Sequence, residues 1–211
     1  MERRSDEKMM ELIMEFAQSR REILAVWMNG SRANPNALRD AYQDFDIVCV
    51  VEDTAVFRED KSWISRFGEI AVMQEPDDPV LFPGGGKPEK RYAYLMQFAD
   101  GNRIDLSFVE KNYAAEMVRE DSQTVILADK AGILPEIPPA SDESYLIRKP
   151  SREEYLACCN EFWWTLPYVG KALCRNEILY AMELMQDVVR PELLRMAEWL
   201  AGTRTGFSVS A

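Results

Sequence analysis

The 211-residue chain contains no histidine. That absence excludes a Ser-His-Asp triad, a Cys-His dyad, a zinc site of the HExxH type and a histidine general base. Cysteine is scarce: Cys49, Cys158, Cys159 and Cys174 show no CxxC spacing. They lie in apolar-patterned segments and read as buried, reduced thiols of a cytoplasmic protein. No run approaches the roughly 18 apolar residues that a membrane-spanning helix needs. The N-terminal stretch MERRSDEKMMELIMEFAQSRREI is too charged to hold the apolar region of a signal peptide. Positive charge is in the minority, 25 Lys and Arg against 36 Asp and Glu, for a net charge of −11. That balance argues against a nucleic-acid-binding surface and suits a cationic small molecule as partner.

What is there is the composition of a globular protein, 47% hydrophobic and 29% charged, in a chain long enough to bury a core. Without histidine, catalysis would rest on carboxylates, Lys, Tyr or a metal held by oxygen ligands. Oxygen-only ligation suits Mg²⁺ or Mn²⁺ rather than zinc.

Apolar positions at Met9, Ile13, Phe16 and Ala17 predict a helix over residues 6–21. ILAVWM (23–28) is a strand that ends in the turn Asn29-Gly30, and residues 31–43 have room for a short helix. Strands follow at 45–52 and 69–75, with a helix at 60–68 between them. Residues 91–110 read as a hairpin around Asp100-Gly101-Asn102. A helix near 111–120 and the apolar run 124–128 complete a mixed α/β domain at 1–130. The proline-rich stretch 131–150 reads as a linker, and 151–211 as an all-α domain opened by a Ser151/Glu154 capping box. Pro167 and Pro191 are expected in the first turns of two further helices. The fold class is therefore α+β, a mixed sheet followed by helices.

Chemistry concentrates at NGSRANPNALRDAYQDFDIVCVV (29–51). Strand side chains alternate faces, so Asp44 and Asp46 project together, as do Arg103, Asp105 and Ser107 farther on. Paired carboxylates repel unless a cation neutralises them. If the strand of Asp105 lies beside that of Asp46, three carboxylates converge as two-Mg²⁺ nucleotidyl transfer requires. Gly30 and Ser31 supply a phosphate cradle, and Arg32 adds charge-assisted bonds. Each piece alone has a structural reading: a solvated strand end, an ordinary turn, and Asp105 paired with Arg103. Loop acids Asp77, Asp78, Asp100 and Glu136 read as solvated, Phe162, Trp163 and Trp164 as helical core, and PGGGKPEK (83–90) as a plain loop, lacking the phosphate-loop spacing.

The order Gly30-Ser31, Asp44-x-Asp46, then Asp105 resembles the polymerase-β-like nucleotidyltransferase superfamily. The strings GSRAN, QDFDIVCVV, FADGNRIDLSFV and FWWTLPYVGKALCRNEILYAM resemble its aminoglycoside 6-adenylyltransferase branch, which modifies streptomycin. The resemblance implies ATP as co-substrate, with its triphosphate against Gly30 and Ser31. It implies Mg²⁺ on Asp44 and Asp46, with Asp105 completing a second metal site and helping to deprotonate the acceptor. It also implies that Lys171 contacts the nucleotide phosphates. Family members continue beyond the last residues here, so the helical domain is expected to be incomplete at its C-terminal end. Two other readings stand beside this one. One keeps the fold and changes the acceptor; the other is a nucleotide-binding module without turnover.

Overall fold

The structure, a computed structural model, describes residues 3–83, 87 and 89–210. The chain divides into two compact units, Met1–Ser144 and Tyr145–Ala211. The first is built on a six-stranded sheet in the order β3-β4-β5-β2-β1-β6. Its strands are β1 (Ile23–Asn29), β2 (Phe45–Val51), β3 (Ile70–Gln74), β4 (Arg91–Phe98), β5 (Arg103–Glu110) and β6 (Val125–Asp129). Neighbours pair antiparallel except β2 and β5, which run parallel at the centre.

Alternation decides what each face of the sheet carries. Phe45, Ile47, Cys49 and Val51 of β2 and Ile104, Leu106 and Phe108 of β5 enter the larger core. Helix α1 (Asp6–Ser19) closes that core with Met9, Ile13, Phe16 and Ala17, the stripe expected from its spacing, and Ser5 caps it by accepting from the Lys8 N–H. Phe57, at 4.0 Å stacked on Phe108, and Trp63, stacked on Phe16, fill the rest. The opposite face carries a smaller cluster of Ala25, Trp27, Val50, Ala114 and Val118, with α3 (Lys111–Met117) contributing Ala114. Leu134 and Ile137 of the proline-rich stretch pack on this cluster. Residues 131–144 thus belong to the first unit.

Several local expectations are corrected. Residues 31–43 form successive turns with no helix, because the carbonyl of Gly30 accepts from both Ala33 and Asn34 and Asn34 caps its own turn. Residues 60–68 hold a 3₁₀ turn, Ser62–Phe67, preceded by a short helix α2 (Ala55–Glu59). Asp60 accepts from the Ser62 N–H, which starts the tight turn. The glycines at 84–86 lie outside the described residues.

The second unit contains α4 (Arg152–Cys174), α5 (Ile178–Leu184) and α6 (Arg190–Thr205). The Ser151/Glu154 capping box forms. Pro191 opens α6, whereas Pro167 lies inside α4, where its missing N–H leaves the Trp163 carbonyl without a helical donor. Cys158, Thr165 and Ala172, spaced by seven, are the buried positions of α4. That seam of small residues leaves the large apolar side chains elsewhere on the helix. Trp163 and Trp164, expected in the core, are 68% and 65% exposed. Cys174 is likewise exposed, while Cys49 and Cys158 are buried; all four thiols are free. Among the described residues, no helix is long and apolar enough to cross a membrane.

Candidate active site

The parallel pairing of β2 with β5 sets Asp46 directly opposite Asp105. Both take the parity opposite to the large core, so their carboxylates leave the sheet on one face. Asp44 precedes β2 and joins them through Arg103. That guanidinium grips Asp105 with a fork, Nε to Oδ1 at 2.7 Å and Nη2 to Oδ2 at 2.8 Å, and its Nε lies 3.5 Å from Asp44 Oδ2.

Asp46 is the exception. It is half-buried, and among the described residues no hydrogen-bond donor or ion-pair partner reaches its carboxylate. Burial, then the charges of Asp105 and Asp44, push its carboxyl up to about 6. Burial also raises Asp44, against the opposing pull of Arg103.

Gly30 lies against this carboxylate. Its φ is +76°, and a Cβ there would fall 2.3 Å from Asp46 Oδ2. Only glycine satisfies both conditions. Ser31 follows, its Oγ accepting from Gln43 Nε2 at 3.1 Å. Arg32, expected to meet phosphate, turns inward instead. It donates to both oxygens of Asp6 and to the carbonyls of Gln43 and Asp44, with its guanidinium 3.8 Å from the Phe45 ring centroid. Its reach from the Gly-Ser turn ends on the approach to β2, where backbone carbonyls and a carboxylate satisfy a charge that is 5% exposed. Lys171 belongs to the second unit, near the end of α4, with its ammonium 4.7 Å from the Tyr168 ring centroid.

The loop acids have structural work. Asp100 is buried and paired with Arg4, which holds its carboxyl far below the usual range. Asp77 accepts from the Ala93 N–H, and Asp78 from those of Val80 and Leu81. Arg103 is the residue whose importance sequence reasoning understated. Its i,i+2 parity with Asp105 was visible, but its span to Asp44 was not.

The donor chemistry suits a hard divalent cation, since a carboxylate left unneutralised beside two others is what such an ion would satisfy. As arranged, though, no three carboxylates or thiols among the described residues close on a common point. Arg103 occupies the ground between Asp44 and Asp105.

Residues 3–211 match the family model described as streptomycin adenylyltransferase. The aminoglycoside 6-adenylyltransferase of Campylobacter jejuni is 40% identical over 207 residues, 98% of this chain and 71% of the relative. That of Staphylococcus aureus is 36% identical over 208 residues, 98% of this chain and 73% of the relative. The crystal structure of an aminoglycoside 6-adenyltransferase from Bacillus subtilis is similar with a TM-score of 0.52 and 33% identity, covering 96% of this chain and 70% of that one. With an α+β fold and such relatives, the chain is an enzyme of the nucleotidyltransferase class. It belongs to the streptomycin adenylyltransferase family.

Proposed function

We propose that the protein transfers the adenylyl group of ATP to a hydroxyl of a streptomycin-like aminoglycoside, the 6-hydroxyl by analogy with its relatives' name, and releases pyrophosphate. The product would be a drug blocked at that hydroxyl, and the consequence antibiotic resistance. The observation that carries the reading is the opposition of Asp46 and Asp105 across the parallel pair, with Gly30 against Asp46.

In this reading the backbone of Gly30 and Ser31, with the Ser31 hydroxyl, binds phosphate oxygens of the nucleotide. Arg32 acts from behind, fixing the backbone of residues 43 and 44 that leads into the carboxylates. Asp44 and Asp46, joined by Asp105, would hold Mg²⁺, which when bound neutralises charge on the triphosphate. Asp105 accepts the proton of the acceptor hydroxyl. The new bond joins the acceptor oxygen to the α-phosphorus, and the bond from that phosphorus to the bridging oxygen breaks with pyrophosphate as leaving group. Lys171 is assigned to the nucleotide phosphates from the family resemblance. The acidic balance of the chain suits a polycationic acceptor, and guanidinium groups such as streptomycin carries pair well with carboxylates.

The test is pyrophosphate release from ATP and Mg²⁺ with a panel of aminoglycosides. Release that depends on streptomycin is expected. Release with no aminoglycoside dependence would overturn the acceptor, and no release with any member would overturn the transferase reading.

A further inference from the structure

We propose that Arg103 is an internal counter-ion of the carboxylate site, a positioning residue that holds Asp105 and Asp44 together and hands them over when a divalent cation binds. The inference rests on the metal-dependent reading above and adds to it a role for one side chain.

Three observations carry it. First, Arg103 lies two residues before Asp105 in β5 and uses two donors on it, so both Asp105 oxygens are taken. A cation that used either oxygen would meet the positive charge of the fork beside it and compete with it for the carboxylate. Second, the Nε of the same guanidinium lies 3.5 Å from Asp44 Oδ2. One positive group thus spans the two carboxylates that flank Asp46, as a cation would. Third, the arrangement is exchangeable. The side chains of Arg103, Asp44 and Asp105 are 38%, 34% and 21% exposed, and ion pairs in contact with water are weak. The buried Arg32, by contrast, is locked by four hydrogen bonds to Asp6 and to two backbone carbonyls.

The geometry also explains why Asp46 stays without a partner. Arg103 is committed to Asp105 and reaches Asp44, so the carboxylate of Asp46 is left for an incoming ion. The bound Arg103 keeps the carboxylates from repelling one another in the metal-free protein. It also imposes a competition that any cation must win.

The experiment is Mn²⁺ binding without nucleotide, followed by the electron paramagnetic resonance of free Mn²⁺ at pH 8, on the wild type, Arg103→Met and Arg103→Lys. Thermal unfolding is measured in parallel with and without Mn²⁺. Removing the competitor should tighten Mn²⁺ binding by about fivefold in Arg103→Met, the scale of a partly exposed ion pair. Arg103→Lys, which offers a point charge in place of a fork, should fall between it and the wild type. Metal-free Arg103→Met should melt lower than the wild type and gain more from Mn²⁺. Equal or weaker Mn²⁺ binding by Arg103→Met would overturn the proposal while the wild type still binds metal. If Arg103→Met fails to fold, the Lys variant decides on the same criterion. Absence of Mn²⁺ binding by all three proteins would instead overturn the metal reading itself.

Discussion

A side chain at residue 30 would share space with the carboxylate of Asp46: a Cβ there falls 2.3 Å from Oδ2, on a backbone with φ of +76°. The turn after β1 and the acid of β2 are therefore fitted to each other. Gly30→Ala should cost about 1–2 kcal/mol for the left-handed backbone alone. It should also lower turnover at least about 100-fold, because Asp46 must move away from its working position. Denaturant unfolding and pyrophosphate release measure the two effects. An alanine variant with native turnover would show that the close approach has no role.

Asp46 makes stability depend on pH in an unusual direction. Its carboxyl rises from the ordinary 3.8 to about 6 in the fold, so between those values the native state binds more protons than the unfolded chain. In EDTA the metal-free protein should therefore lose stability as pH rises from about 4 to above 6, by on the order of 2 kcal/mol. Asp46→Asn should flatten that dependence, prove more stable than the wild type at pH 8, and lose turnover. Urea titrations at pH 5 and pH 8 check it; a wild type that gains stability over that interval would contradict the burial of an unneutralised acid.

Asp105→Asn tests the proton acceptor. The amide is isosteric, so the sheet should fold normally, and turnover should fall by about 10²–10⁴, the usual contribution of general base catalysis. Circular dichroism with a turnover assay separates the two. Near-native turnover would remove Asp105 from the chemistry.

Arg32→Met is expected to act on stability first. It leaves the carbonyls of Gln43 and Asp44 without their charged donor, at a cost of about 2–3 kcal/mol. Lys171→Ala, at an exposed helical position, should change stability by less than about 0.5 kcal/mol. If Lys171 meets the nucleotide, its loss should raise the KM for ATP; a KM unmoved in Lys171→Ala would end that assignment.

Streptomycin binding should weaken as salt rises, since the attraction is between charges that salt screens over about 10 Å at 0.1 M. Calorimetry at low and high salt, with streptomycin and with a neutral sugar, gives the comparison. Equal binding of both ligands would exclude charge-based recognition of the acceptor.

The local features of the fold are legible in the residues themselves. Apolar and β-branched runs located five strands to within a residue or two, from Ile23–Asn29 to Arg103–Glu110, and the apolar run 124–128 proves to be the sixth, Val125–Asp129. The strand period of two placed Asp44 with Asp46 and Arg103 with Asp105, and the missing histidine left carboxylates, Lys, Tyr or an oxygen-ligated metal for the chemistry. These follow from sterics and patterning within a few residues. The turns of 31–43 and the proline inside α4 depart from local propensity, because side-chain capping and helix packing outweigh it there.

Which charges meet is set by the assembled sheet. β2 and β5 are separated by more than fifty residues, and their parallel register is what sets Asp46 against Asp105. Arg32 looked like a phosphate ligand until Asp6, from another element, claimed it. Arg103 does pair with its strand neighbour Asp105, and the fold adds Asp44 within its reach. Periodicity fixes the side of a strand from which a charge projects. Which opposite charge neutralises it depends on distances across the chain, and those exist only once the sheet has assembled.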